Sequence, residues 1–134
     1  MTRLHINRGA GWEAQGFAGF GGYGWYFQDI EVPNDLFAKA HMYLYFLGVN
    51  EQAWVYVNGE FAFERTYAST GKTVGSLATT AFSFDIKKYL KQGGRNRIAV
   101  RVTHSSGLGG IWLPAMLFGT EEECTTEQLD KYRY

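Results

Sequence analysis

Cysteine, charge of one sign and long apolar runs are all scarce in this sequence of 134 residues. The single Cys124 cannot form an internal disulfide or supply a thiolate metal cluster. Thirteen Lys and Arg residues balance thirteen Asp and Glu residues, so the chain lacks the basic face with which proteins bind nucleic acid. The longest apolar run, residues 111–118, has eight residues, whereas a membrane-spanning helix needs about 20. We therefore expect neither a nucleic-acid nor a membrane partner.

Glycine and aromatic residues are abundant instead, with 17 glycines and 17% aromatic content. Glycine is unfavourable inside helices and useful at tight turns, while Tyr, Phe and Trp favour the half-buried surfaces of sheets. A chain of this length buries about two-thirds of its unfolded surface and folds without a metal or a disulfide framework. The composition predicts one all-β domain over residues 1–134, with a polar C-terminal tail at 120–134.

Local patterns place the strands of this domain. The pair Asn58-Gly59 suits the positive φ angles of a type I′ turn and predicts a hairpin. Ile98, Val100 and Val102 alternate with more polar residues, which predicts a strand with one buried face. The predicted strands are residues 25–32, 40–49, 53–57, 60–65, 81–86, 97–104 and 111–118. One helical turn is predicted at 87–91 and a short helix after residue 125. Such strands with long connections predict two antiparallel sheets packed face to face.

No pattern in the sequence indicates catalysis. A glycosidase needs two carboxylates held across a sugar cleft, and no spacing pairs Asp29, Glu31 or Asp85 convincingly. A serine triad would use His104 with the serines that follow it, but no nucleophile-elbow sequence surrounds them. The three histidines share no metal-ligand spacing. We expect no enzymatic activity, no metal and no cofactor.

Four segments in order resemble a known family. They are GYGWYFQDIEVP at 22–33, MYLYFLGVNEQAWVYVNGE at 42–60, FSFDIKKYLKQGGRNRIAVRV at 82–102 and GGIWLPAML at 109–117. Together they are similar to the sugar-binding domain of family two glycoside hydrolases, over about residues 12–119. The resemblance implies a jelly-roll β-sandwich of the galactose-binding-like kind. Phe27 and Leu113 stand where the family pattern has arginine, which suggests a changed surface.

The resemblance also implies where a sugar would bind, because two family loops lie at one end of the sandwich and border the active site of the parent enzyme. Sugar binding needs an aromatic face against the pyranose ring and planar polar groups for its hydroxyls. The candidate ligand-binding residues in these loops are Trp12, Glu13, Phe17, Phe20, Tyr23, His104, Ser105, Ser106 and Trp112. Trp12 could equally anchor its own loop, and His104 and Trp112 have structural alternatives. Trp25, Tyr26, Trp54 and Tyr56 are expected to pack within the sheets.

Two functions from different classes follow from these observations. The first is a non-catalytic carbohydrate-binding module that binds a neutral oligo- or polysaccharide through its end loops. The second is an accessory domain that packs on a catalytic domain or an identical subunit without binding glycan. The resemblance implies a secreted or periplasmic protein, although the N-terminus lacks the apolar stretch of a signal peptide.

Overall fold

The strands pack as two main antiparallel sheets in a computed structural model of the chain. The structure describes residues 2–5, 13–15, 23–50, 52–72, 77, 80–103, 110–111 and 115–132, with backbone alone for residues 2, 5, 13–15, 23, 50, 110 and 111. The strands are β1 (Thr2–His5), β2 (Glu13–Gln15), β3 (Tyr23–Glu31), β4 (His41–Phe46), β5 (Val49–Asn50), β6 (Gln52–Val57), β7 (Glu60–Arg65), β8 (Phe82–Asp85), β9 (Arg95–Thr103), β10 (Gly110–Ile111) and β11 (Ala115–Thr120). The helices are α1 (Asn34–Phe37), α2 (Tyr67–Thr70) and α3 (Thr126–Asp130), with a 3₁₀ turn at Lys87–Tyr89.

The sheets have four and five strands. The four-stranded sheet has the order β1-β11-β4-β8, and the five-stranded sheet has the order β2-β3-β9-β6-β7. A short pair, β10 with β5, forms a third element. Buried side chains from both main sheets form one apolar cluster, which includes Leu44 and Leu117 from one sheet and Val55 and Val100 from the other. The prediction of an all-β sandwich is confirmed.

Strand β4 is covered on both faces, as its apolar sequence predicts. Met42, Leu44 and Phe46 belong to the cluster between the sheets. Tyr43 and Tyr45 point to the opposite face and join a second cluster with Phe118 and Leu129. Leu129 lies in α3, so the C-terminal segment covers the outer face of the four-stranded sheet. Burial raises the pKa of the Tyr43 hydroxyl, which accepts a hydrogen bond from the Cys124 amide at 3.0 Å.

The hairpin between β6 and β7 has the predicted turn. Asn58 has a φ of 51° and Gly59 a φ of 84°, as a type I′ turn requires. The Asn58 side chain also contacts the 3₁₀ turn and the start of β9, because its Nδ2 donates to the Tyr89 carbonyl at 2.9 Å and to Asn96 Oδ1 at 2.8 Å. Two segments distant in sequence are therefore joined at this end of the sandwich.

The structure differs from the sequence predictions in four details. No strand was predicted before residue 25, yet β1 pairs with β11 and β2 pairs with β3. No helix was predicted between residues 66 and 80, yet Thr66 caps the four-residue helix α2. The strand predicted at 40–49 is two strands, β4 and β5. The strand predicted at 111–118 is two strands, because β10 pairs with β5 and β11 pairs with β4. Proline has no N–H to donate to a ladder, and Pro114 lies between the two strands in sequence.

Candidate functional site

Two of the candidate loops begin at one end of the five-stranded sheet. Tyr23, the first residue of β3, pairs with Thr103, the last residue of β9. Thr103 pairs in turn with Gln52 at the start of β6. Residues 16–22 connect β2 to β3, and residues 104–109 follow β9 directly. Residues 16–22 therefore end, and residues 104–109 begin, beside a pair of neighbouring strands at this end of the sheet, which we call the loop end.

The side chains of all nine candidate ligand-binding residues lie outside the described part of the structure. Glu13 and Tyr23 are described by their backbone alone, in β2 and β3. The other seven lie wholly outside the described residues: Trp12, Phe17, Phe20, His104, Ser105, Ser106 and Trp112. Their role in sugar binding stays a prediction.

The described part of the loop end carries a polar group that the sequence analysis did not single out. The Gln52 side chain donates from Nε2 to Thr103 Oγ1 at 3.3 Å, and its Oε1 accepts from the Tyr67 amide at 2.9 Å. This amide ties β6, β9 and α2 together beside the start of residues 104–109. A single glutamine at the beginning of a strand gives no signal of such a role in the sequence, because its partners are 15 and 51 residues away.

The carboxylates considered for catalysis have structural partners. Asp29 in β3 accepts from Arg97 Nε at 2.8 Å, and Arg95 lies 4.0 Å away. This hydrogen bond from Arg97 is the main reason that the pKa of Asp29 lies below its usual value. Asp85 in β8 contacts His41 Nδ1 at 2.8 Å and accepts from the Lys87 amide at 3.0 Å. The two carboxylates belong to different sheets, and each is engaged by groups of its own sheet or of the turn that follows.

Two surface cavities lie among the described residues, and neither lies at the loop end. One, of about 520 Å³, is lined by Phe27 to Glu31 together with Arg95 and Arg97. The other, of about 630 Å³, is lined by Ala40, His41, Asp85, Lys87 and Lys88. In the described ranges no three His, Cys, Asp or Glu side chains converge as a metal site requires. Nor is any described helix long and apolar enough to cross a membrane.

The outer face of the five-stranded sheet carries several aromatic rings. The sequence predicted that most of them pack within the sheets and gave them no role in binding. Trp25, Trp54 and Tyr56 are half-buried, as expected for residues that pack on a sheet. Phe27, which replaces the expected arginine, lies beneath the guanidinium of Arg97 with 5.2 Å between Cζ and the ring centre. The alternation of Trp25, Phe27 and Asp29 along β3 is the sequence signal that places all three on one face.

Comparison with known proteins identifies the family. The family described as "Glycosyl hydrolases family 2, sugar binding domain" matches residues 14–122. It describes the sugar binding domain of these hydrolases and not their catalytic domain. No curated protein matches the chain.

Solved structures with this fold are much longer than the chain. A Bacteroides fragilis protein named as a beta-galactosidase is 29% identical with a TM-score of 0.60, over 73% of this chain and 15% of that chain. A Bacteroides uniformis beta-glucuronidase is 26% identical with a TM-score of 0.61, over 73% of this chain and 12% of that chain. A Bacteroides vulgatus beta-glycosidase is 25% identical with a TM-score of 0.57, over 72% of this chain and 12% of that chain. The chain belongs to the family of sugar binding domains found in family 2 glycosyl hydrolases.

Proposed function

We propose that this chain is a non-catalytic carbohydrate-binding module that binds a neutral glycan at the loop end. The observation that carries the proposal is the match of residues 14–122 to a sugar binding domain. The register of Tyr23 with Thr103 supports the location, because one candidate loop ends at Tyr23 and the other begins after its partner Thr103. The balanced charge of the chain supports an uncharged ligand.

The residue types of the two loops suit this ligand. One face of a pyranose ring is apolar and packs against an aromatic ring, while its hydroxyls need planar polar partners. Residues 12–23 supply Trp12, Phe17 and Phe20 for the first contact. His104 and the serines after it supply hydrogen-bonding groups from the second loop. Each hydrogen bond to a hydroxyl contributes little net free energy in water, so several contacts act together.

A binding module of this kind increases the activity of an attached enzyme through effective concentration. The solved structures to which the chain is similar are 12% to 15% covered by it, so the domain is a small part of those longer proteins. Once such a module holds a polysaccharide, the catalytic domain meets its substrate as an intramolecular partner.

Affinity gel electrophoresis tests the proposal. We expect soluble galactan, mannan or xylan in the gel to retard the wild-type protein in a saturable manner. The double variant Trp12→Ala, His104→Ala should reduce this retardation, because it removes one aromatic platform and one polar group from the loop end. Lys72→Ala, an exposed change after α2, is the control and should migrate as wild type. Retardation of the double variant equal to that of wild type would place the site elsewhere.

A second candidate function is an accessory domain that packs on a neighbouring domain or a second copy. The small share of each matched enzyme that the chain covers favours it, because such a domain has neighbours in those proteins. The same gels separate the two functions. No retardation by any of the three glycans, combined with oligomers in light scattering that Phe17→Ser disperses, would support the accessory role.

A further inference from the structure

Four aromatic rings form a continuous strip across the outer face of the five-stranded sheet. Phe27 stacks on Trp25 with ring centres 6.2 Å apart, and Trp25 contacts Tyr56 at 5.5 Å. Tyr56 contacts Phe61 at 5.5 Å in an edge-to-face arrangement. Phe61 is the most exposed of the four, at 50%, whereas the other three are only partly exposed. We call these four residues the sheet-face strip.

A small residue allows the rings to meet. Ala99 in β9 lies directly between Phe27 of β3 and Tyr56 of β6 in the strand register. Neighbouring strands are about 4.8 Å apart, so β3 and β6 are separated by about 10 Å of backbone. A side chain larger than alanine at position 99 would fill that gap. The methyl group of Ala99 leaves room for Trp25 and Tyr56 to lean across β9.

Charged side chains of both signs border the strip. Arg97 covers Phe27 and is held by Asp29, while Arg101 lies over Trp54 with 5.1 Å between Cζ and the ring centre. Among the described residues that strand register places on this face, the basic ones are Arg95, Arg97 and Arg101, and the acidic ones are Glu13, Asp29, Glu31 and Glu64. Three basic against four acidic residues leave no excess of positive charge on the face, which favours an uncharged ligand over an acidic one.

We propose that the sheet-face strip is a second glycan-binding surface, which takes a neutral oligosaccharide chain. The apolar faces of successive pyranose rings would pack on Phe61, Tyr56 and Trp25. Their hydroxyls would meet the guanidinium and carboxylate groups at the borders, whose ion pairs already fix their orientation. A protein partner would instead have to bury these ion pairs away from water, which is costly. The inference shares its ligand class with the proposed function but assigns a different surface.

Two variants disrupt the strip, and a third keeps its aromatic rings as the control. Phe61→Ser deletes an exposed ring, and Ala99→Leu inserts a side chain between Phe27 and Tyr56 without deleting any ring. Each should weaken the binding of soluble galactan, mannan or xylan about tenfold in affinity gels. Phe61→Tyr keeps the ring and should bind within about twofold of wild type. Circular dichroism of each variant checks that the fold is kept.

The outcomes separate this inference from the proposed function. If both Phe61→Ser and Ala99→Leu bind as wild type while the Trp12 and His104 double variant does not bind, the sheet-face strip is overturned and the loop end stands. If the strip variants lose binding while the double variant keeps it, the strip is the site and the loop end is overturned. If Ala99→Leu does not fold, the comparison of Phe61→Ser with Phe61→Tyr decides alone. Absence of retardation of the wild type by all three glycans overturns both.

Discussion

Asn96 shows at the scale of single residues how one buried amide holds two turns together. It is 0% exposed, and its Oδ1 accepts from Asn58 Nδ2 at 2.8 Å and from the Lys91 amide at 2.7 Å. Its Nδ2 donates to the Lys91 carbonyl at 3.1 Å. Buried polar groups are stable only when they are hydrogen-bonded, so these contacts explain an asparagine in this position. The network lies at the opposite end of the sheet from the loop end.

Replacement of Asn96 by alanine should therefore lower the free energy of unfolding by about 2 kcal/mol, because the Lys91 amide and carbonyl lose their partner and Asn58 Nδ2 keeps only the Tyr89 carbonyl. Urea denaturation followed by circular dichroism measures this. Lys91→Ala is the matched control, since Lys91 joins the network through its backbone and its side chain is exposed. The control should stay within about 0.5 kcal/mol of wild type. An equal free energy of unfolding for Asn96→Ala and Lys91→Ala would contradict the role given to the network.

At the scale of elements, α3 is stable because of what it covers. Five residues are too few for an isolated helix, so its stability comes from packing and from its cap. Thr125 and Gln128 form a capping box, and Leu129 packs with Tyr45 and Phe118 on the outer face of the four-stranded sheet. The Tyr45 hydroxyl also donates to Asp130. The segment thus closes a face that would otherwise expose aromatic residues.

Leu129→Ala should destabilise the protein by about 3 kcal/mol, because it removes a fully buried side chain from this cluster. Lys131→Ala, an exposed change two residues later, should have almost no effect. Thermal unfolding of both variants gives the comparison. A melting temperature of Leu129→Ala equal to that of Lys131→Ala would show that α3 does not contribute to stability.

The elements also show which parts of the fold can be predicted from sequence. Strands β6 and β9 carry strict alternation, since Val55 and Val100 are buried between less buried neighbours, and both strands were predicted. Strands β1 and β2 have four and three residues, which is too short for a pattern to develop. Their pairing, β1 with the distant β11 and β2 with the next strand β3, depends on backbone hydrogen bonds, which side-chain identities do not encode. Helix α2 was not predicted either, because its four residues are also too few for a pattern.

At the scale of the whole molecule, the sequence predicts a ligand class and two candidate loops more readily than a binding surface on a sheet. The motifs that resemble the family lie mostly in strands, and their order alone predicts the sandwich. The sheet-face strip could not be predicted in the same way, because it needs the register that places Ala99 between Phe27 and Tyr56. Register arises from strand pairing across long sequence separations, as with the 68 residues between Asp29 and Arg97.

The molecule has no net charge near pH 7. The dependence of its stability on pH therefore comes from local ion pairs and not from repulsion among many like charges. The pKa of Asp29 is lowered in the folded state, chiefly by the hydrogen bond from Arg97. A carboxyl with a lowered folded pKa stabilises the fold above its unfolded pKa of about 3.9, and this contribution is lost as the pH falls through the folded value.

Asp29→Asn should therefore lower the free energy of unfolding at pH 7 by at most about 1 kcal/mol, since the pair is partly exposed. The difference from wild type should shrink below about pH 4, where the wild-type carboxyl takes up a proton. Urea denaturation at pH 7, 5 and 3 measures it, with the exposed Glu122→Gln as the control. High salt should reduce the difference at pH 7, because exposed ion pairs are screened. A difference between Asp29→Asn and wild type that stays constant from pH 7 to pH 3 would mean that the ion pair between β3 and β9 does not contribute to folding.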